Sequence, residues 1–319
     1  MEKELAKSLR NAGKDVQYDE QCKKVLSNKV ILAWILKGTA KEFKDLELDT
    51  IVSSIEGEPE VSAVKVNPGE TNQERITGSR NEDKVPGEGV IYYDIRFYAY
   101  VPNGKKPIKI IINVEAQKDY YPGYDIVTRG IFYASRMISA QLGTEFTIPN
   151  YDGIQKVYSI WICMNSPKKV GNAIAEYSIR KKDWVAGIPD KESAYDKLAV
   201  VIVTLNEKSV MDEALLQMLN VILSAQSSYE EKAEKLTNQF HINLENNLGK
   251  ELDLMCNLSG YVKEKGREEG REEGRMLAKK EMVLNLKKRG FPEDQIVQIV
   301  GESEVVIREW LESEMLLAK

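Results

Sequence analysis

Two strand-like segments joined by a short polar turn constrain the fold of this chain more than any other feature. Residues 91–101 and 108–117 are rich in aromatic and β-branched side chains, and between them PNGKKP carries an Asn-Gly step flanked by prolines. An Asn-Gly step favours a tight turn, and the prolines end the strands on either side. The sequence therefore predicts an antiparallel β-hairpin over residues 91–117.

The two-residue period of a β-strand decides which side chains of this hairpin share a face. Alternation places Asp94 on one face of the first strand, and Glu115 with Gln117 on one face of the second. If the loop comprises residues 102–107, Asp94 lies directly opposite Glu115, with Cβ atoms about 5 Å apart. A register shifted by two residues in one strand keeps both carboxylates on one face, whereas a shift by one residue separates them.

Two carboxylates at that distance repel each other, and a cation or water must relieve the repulsion. Mg²⁺ suits such a pair because it is a hard cation that accepts one or two carboxylates together with water and phosphate oxygens. The alternative is an ordinary ion pair between Asp94 and Arg96 or a nearby lysine, with Glu115 as an edge residue. The residues alone leave both interpretations open.

The histidine and charge counts exclude several classes of protein. His241 is the only histidine among the 319 residues, so a zinc site with two or more histidines is excluded. Its polar helical surroundings predict a surface or packing role, so an enzyme here must work with carboxylates, lysines or arginines. The net charge of −5 argues against non-specific coating of nucleic acid. A local basic groove remains compatible with it, because only nearby charge neutralises phosphate.

Cysteine usage and hydropathy indicate a cytoplasmic protein with no membrane partner. Cys22, Cys163 and Cys256 lie far apart without metal-ligand spacing, and an odd count fits a reducing compartment. The N-terminus is charged and lacks the apolar core of a secretory signal. No stretch reaches the roughly 18 apolar residues that a membrane span requires.

Periodicity divides the chain into four segments: a polar N-terminal segment (1–28, frayed or a short helix), a main domain (29–210), a helical region (211–262) and a C-terminal tail (263–319). The main domain is predicted to contain helices at 28–45, 48–55 and 122–142, strands at 60–66, 91–101, 108–117, 156–164 and 197–205, a loop at 67–89 and an edge strand between 164 and 197. Ile126, Ile131, Met137 and Ile138 are expected to form the inward face of the helix at 122–142.

The tail combines a charged repeat with a helical end. KEKGREEGREEGR repeats with period four, which predicts a solvated linker or a partly helical spacer, with a specific partner surface as the alternative. The residues that follow predict a helix, a Gly-Phe-Pro break, a helix, a glycine-containing turn and a last helix. This resembles a small helix-turn-helix, but it also fits a helical cap or an oligomerisation unit.

The order of these motifs resembles the PD-(D/E)XK nuclease superfamily, and more narrowly its bacterial transposases and recombination-promoting nucleases. The resemblance rests on YYDIRFYAYV, IINVEAQK, the helix motif TRGIFYASRMISAQ and the GREE tail ending in a helix-turn-helix-like piece. It implies an α/β (α+β mixed) fold, with a restriction-endonuclease-like core α-β-β-β-α-β and a helical C-terminal extension.

The resemblance implies that Asp94 and Glu115 are catalytic ligands of Mg²⁺ or Mn²⁺. Gln117 occupies the position at which most of the superfamily has a lysine, and glutamine can donate a hydrogen bond but carries no charge. Lys118 is adjacent, but in a regular strand it points to the opposite face. The superfamily often adds a glutamate on its first helix, and Glu42 is the candidate, with an exposed helix glutamate as the alternative.

DNA is the partner that the resemblance implies, and Lys118 is one of the residues expected to contact it. Arg129, Tyr133 and Arg136 are spaced to form one helical stripe that could point at the site and bind phosphate, although ordinary surface pairing would give the same spacing. Further lysines and arginines lie at 105–106, 168–169 and 180–182 and could contact the DNA backbone or serve solubility.

We therefore expect a metal-dependent DNA endonuclease associated with transposition or recombination. One alternative is a DNA-binding or interaction module that retains the fold without catalysis, which the missing lysine favours. Another is an oligomeric scaffold organised by the C-terminal helices.

Overall fold

The structure, a computed structural model, describes residues 16–57, 59–61, 82–85, 89–102, 107–209, 211–244 and 247–317. The chain divides into two compact units, Met1–Ser259 and Gly260–Lys319. The first unit contains the sheet and the hairpin predicted above.

The helices are α1 (16–26), α2 (Lys29–Thr39), α3 (Leu48–Ser54), α4 (Ile126–Ser139), α5 (Glu192–Tyr195), α6 (Ala214–Leu223), α7 (Tyr229–Phe240), α8 (Asn247–Lys288), α9 (Glu293–Val300) and α10 (Glu304–Leu317). The strands are β1 (Glu60–Val61), β2 (Glu82–Val85), β3 (Gly89–Tyr92), β4 (Ile95–Val101), β5 (Ile108–Asp119), β6 (Lys156–Asn165), β7 (Ala173–Ser178) and β8 (Leu198–Thr204).

A mixed sheet organises the first unit, in the order β1-β4-β5-β6-β8-β7. Strands β4 and β5 are antiparallel, whereas β5, β6 and β8 run parallel to one another. Helix α4 connects β5 to β6, because parallel neighbours need a crossover of this kind. The predicted edge strand between residues 164 and 197 is confirmed as β7, antiparallel to β8. The fold is mixed α/β, as the sequence predicts at that level.

The two faces of the sheet are covered by different helices. Apolar side chains of α1, α2 and α6 pack on one face, around β-strand residues such as Ile112 and Val114. Helix α4 covers the other face, where Tyr133 and Met137 pack against Trp161. Because successive strand residues alternate between these faces, Glu115 lies on the α4 side.

The predicted hairpin register is confirmed, because Val101 pairs with Ile108 and Ile95 pairs with Val114. The prediction of one continuous strand over 91–101 is wrong: β3 pairs with β2, and the chain bends at Asp94 before β4 begins. The predicted loop at 67–89 is wrong at its end, because Glu82–Val85 forms β2. Local hydrophobicity does not reveal this pairing, since EDKV is a polar strand.

Other boundaries shift by a few residues. The helix predicted at 122–142 begins at Ile126, where Asp125 precedes it, and ends at Ser139. Ile131 is 46% exposed, so its predicted place on the inward face is wrong, whereas Ile126 and Met137 are buried. Residues 62–66 of the strand predicted at 60–66, and residues 103–106 of the hairpin turn, lie outside the described residues.

The N-terminal segment contributes more to the core than its polarity indicates. Residues 16–26 form a helix whose Cys22, Val25 and Leu26 are completely buried against the main sheet. This agrees with the short-helix alternative, while residues 1–15 lie outside the described part of the chain. The apolar spacing of this helix covers only two turns, which explains why the sequence pattern is weak.

The second unit has a small apolar core of its own. Val283 of α8, Ile296 and Val300 of α9, and Ile307 and Leu311 of α10 pack together. Helix α9 ends at Gly301, whose positive φ of 70° suits glycine as a helix C-cap. The predicted series of helix, break, helix, turn and helix is confirmed. Within the part of the chain that the structure describes, we find no helix long and apolar enough to cross a bilayer.

Candidate active site

Asp94 and Glu115 meet where the chain enters β4. Each carboxylate accepts a hydrogen bond from the backbone of the other strand. Glu115 Oε1 accepts from the Asp94 N–H at 3.0 Å, and Asp94 Oδ2 accepts from the Ala116 N–H at 3.1 Å. The bend at Asp94 frees its backbone N–H from the strand ladder for this contact. The structure thus brings the two sequence-predicted acids together.

Burial sets the electrostatics of this acid pair. The Asp94 side chain is 18% exposed and Glu115 is 5% exposed. Burial raises the pKa of Asp94, and the positive charge of Lys23 opposes that rise. Burial also raises the pKa of Glu115 well above its usual value, and the nearby charge of Asp94 raises it further. A cation at this position therefore stabilises the ionised pair.

Lys23 of α1 supplies one such cation. Its Nζ lies 2.9 Å from Asp94 Oδ1 and 2.7 Å from Asp19 Oδ2, and its side chain is 12% exposed. Burial alone would lower the pKa of Lys23, but the charges of Asp94 and Asp19 outweigh it and raise that pKa. This contact corresponds to the alternative interpretation of the sequence, in which Asp94 forms an ordinary ion pair with a nearby lysine. Lys23 is not identified by the sequence pattern. Its spacing of one helical turn from Asp19 indicates a helix at α1, but it does not indicate a contact with Asp94.

Arg129 and an aromatic group form the α4 side of the site. The two terminal nitrogens of Arg129 donate to Tyr124 Oη at 2.7 Å and to Tyr133 Oη at 2.8 Å. Its guanidinium carbon lies 5.0 Å from the Trp161 ring centroid, within cation–π range. The charge of Arg129 also acts on Glu115 in the direction that lowers its pKa. Arg129 therefore contributes positive potential from a fixed position.

The other residues predicted to bind DNA are placed differently. Arg136 is 3% exposed and Tyr133 is 9% exposed, so neither presents its polar end freely to a bound duplex. Lys118 is exposed, but the β5–β6 register continues without a bulge to Asp119, so Lys118 lies on the face opposite Glu115. Gln117 is half-buried on the same face as Glu115.

Glu42 is not brought to the acid pair. It accepts from Lys156 Nζ at 2.8 Å and from Tyr158 Oη at 2.7 Å. Lys156 pairs with Ile110 at the start of β6, and Trp161, five residues further along β6, pairs with Glu115. That separation is about 16 Å at roughly 3.3 Å per residue. Glu42 therefore belongs to a separate ionic cluster, together with Lys156 and Asp196.

Asp196 links this ionic cluster to stability at acid pH. It lies 2.8 Å from Nζ of both Lys156 and Lys41. Burial raises its pKa, but the hydrogen bonds from these two lysines outweigh burial, and the pKa lies below its usual value. A lowered carboxyl pKa stabilises the folded state above the unfolded-state value of about 4, and that stabilisation is lost as pH falls through the folded-state pKa.

We expect Asp196→Asn to destabilise the first unit by about 2 kcal/mol at pH 7. The difference from wild type in the free energy of unfolding should shrink towards zero as the pH is lowered through and below the folded-state pKa of Asp196. Denaturant unfolding at a series of pH values measures it, with the exposed Asp152→Asn as control. A difference that is unchanged by acid would contradict the ionic role of Asp196.

The acid pair also suits a hard divalent cation. No group of three or more His, Cys, Asp or Glu side chains is arranged to hold a metal within the described ranges. Mg²⁺ does not require one, because one or two carboxylates with water and phosphate suffice. Asp94 Oδ1 already binds a cationic group, the Lys23 ammonium. Asn113, on the same face two residues before Glu115, is fully buried and its amide has no hydrogen-bond partner among the residues described.

Comparison with known proteins adds no assignment. No protein-family profile, no curated protein and no solved structure matches this chain.

Proposed function

We propose that this protein is a Mg²⁺- or Mn²⁺-dependent DNA endonuclease that acts in transposition or recombination. The observation that carries the proposal is the buried Asp94–Glu115 pair, in which each carboxylate is fixed by a backbone N–H of the opposite strand. Fixed, buried carboxylates are suited to binding a divalent cation. The positive groups beside them are suited to binding a phosphodiester.

The sequence resemblance supports this chemistry. It implies that Asp94 and Glu115 correspond to the metal-binding acids of the PD-(D/E)XK superfamily. The succession α2, β1, β4, β5, α4 and β6 is compatible with the α-β-β-β-α-β core that the resemblance implies. The restriction-endonuclease-like fold is accordingly part of the proposal.

The proposed reaction is hydrolysis of a phosphodiester bond in DNA. A water oxygen forms a bond to phosphorus, one ester P–O bond breaks, the water releases a proton to solvent, and the departing oxygen takes up a proton. Asp94 and Glu115 would hold the metal, which would supply charge neutralisation and Lewis acidity for activating water. Buried contacts hold both carboxylates in place, and Arg129 contributes positive charge towards the phosphate.

Nicking of supercoiled plasmid tests this function. Wild type with Mg²⁺ or Mn²⁺ should produce open-circular DNA, and Asp94→Asn should reduce the rate by about 100-fold or more. The asparagine oxygen can still accept from the Ala116 N–H, so the hairpin should remain folded. Asp152→Asn, at an exposed position, is the matched control and should nick normally. Equal nicking by wild type and Asp94→Asn would remove the proposed site.

A DNA-binding module without catalysis is the second candidate, and the Lys23–Asp94 ion pair favours it. A lysine that already neutralises Asp94 lessens the need for a metal. This candidate predicts that calorimetry detects no Mn²⁺ binding to wild type, while DNA binding persists. The endonuclease predicts Mn²⁺ binding that Asp94→Asn abolishes.

A further inference from the structure

The acid pair lacks a lysine from its own strand. Gln117 occupies the position on the Glu115 face, and the unbroken β5–β6 register directs Lys118 to the other face. Asp94 and Glu115 together with Asp19 would repel an approaching phosphodiester. Arg129 offsets part of this charge, but its terminal nitrogens already donate to Tyr124 and Tyr133.

Lys23 of α1 lies beside Asp94 and Asp19. Its Nζ contacts Asp94 Oδ1 at 2.9 Å, and Asp19, whose side chain is 47% exposed, holds the same ammonium at 2.7 Å. Helix α1 anchors the residue, because the adjacent Cys22 is completely buried in the core. The side chain is thus held in place, and 12% of it is exposed.

The chemistry of an ammonium fits an additional oxygen acceptor. A lysine ammonium has three N–H donors, and the two carboxylates of Asp94 and Asp19 account for two of them. A nonbridging phosphate oxygen is a strong acceptor for a charged donor.

We propose that Lys23 is the catalytic lysine of this site: it donates to a nonbridging oxygen of the scissile phosphate, from helix α1 instead of from position 117. This inference rests on the proposed endonuclease function. The N-terminal helix α1 thus supplies the lysine that the hairpin lacks at position 117.

Variants at two positions test the assignment by loss and by rescue. Lys23→Met should reduce the rate of nicking at saturating Mg²⁺ by about 100-fold, whereas Lys24→Met, exposed on the same helix, should stay within about twofold of wild type. Adding Gln117→Lys to Lys23→Met should raise the rate of nicking at least about tenfold above that of Lys23→Met alone, because it returns an ammonium to the Glu115 face. Normal nicking by Lys23→Met, or a folded double variant without rescue, would overturn the assignment.

DNA binding in Ca²⁺ provides a readout that does not depend on turnover. Loss of one phosphate contact should reduce the slope of log affinity against log salt by about one for Lys23→Met. Lys23→Arg should retain the wild-type slope, because the charge is kept. An unchanged slope in Lys23→Met would count against the phosphate contact. Absence of nicking by wild type would instead refute the endonuclease, and the slope would still test Lys23.

Discussion

Glu115→Gln is expected to abolish metal-dependent nicking and, in the same protein without metal, to increase stability. Glu115 is 5% exposed and shares its surroundings with Asp94, so burial and like charge both disfavour its ionised form. A glutamine oxygen can still accept from the Asp94 N–H, which preserves the hydrogen bond while removing the charge. We expect a gain of about 1–2 kcal/mol in the unfolding free energy, typical where a site is kept for function at a cost to stability.

Hydrogen exchange of the β5 backbone amides measures this gain within the first unit alone. Saturating Mn²⁺ should stabilise wild type and leave Glu115→Gln unchanged, because ligands stabilise only the state that binds them. Glu176→Gln, an exposed glutamate on β7, is the control and should alter neither property. Reduced stability of metal-free Glu115→Gln would show that Glu115 is mainly a structural residue.

Gly130→Ala is expected to destabilise the first unit, against the usual preference of helices for alanine. A Cβ at Gly130 would lie 2.5 Å from Val200 Cγ1 and 3.0 Å from Trp161 Nε1. Both neighbours are completely buried, so neither can move without disturbing the core. Overpacking of this kind costs about 1–3 kcal/mol, which outweighs the gain of up to about 1 kcal/mol in helix propensity.

Gly274→Ala is the matched control. Gly274 also lies within a helix, α8, but apart from the neighbouring backbone of that helix, no atom of the described residues lies within 4 Å of its added Cβ. We therefore expect it to stabilise its own unit by up to about 1 kcal/mol. Denaturant unfolding of both variants provides the comparison. If Gly130→Ala stabilised the protein as Gly274→Ala does, close packing of α4 on β6 and β8 would be contradicted.

The hairpin could be predicted because its determinants are local. An Asn-Gly step between two prolines predicts the loop length and hence the register, and the observed register agrees. That register decides that Asp94 and Glu115 share a face. The bend at Asp94 was not predictable in the same way. It accompanies the pairing of β3 with β2, a polar strand that hydrophobic patterning does not indicate.

The surroundings of the acids depend on contacts that the sequence pattern does not encode. Lys23 and Asp94 are 71 positions apart and meet because α1 packs on the sheet. The stripe of Arg129, Tyr133 and Arg136 is present on α4, yet a spacing of four and three residues does not reveal which side of that stripe faces the core. Tyr133 and Arg136 are buried, and Arg129 is the member whose positive charge acts on Glu115.

The crossed hydrogen bonds between the two carboxylates and the two strands have an evolutionary consequence. Asp94 and Glu115 each satisfy a backbone N–H of the hairpin, so a descendant with no use for the chemistry would lose hydrogen bonds by replacing either one with a residue that has no acceptor oxygen. After activity is lost, each position is therefore expected to retain the acid or its amide. Lys23 instead binds the side-chain carboxylates of Asp94 and Asp19, and we expect its replacement to be an earlier sign of an inactive lineage.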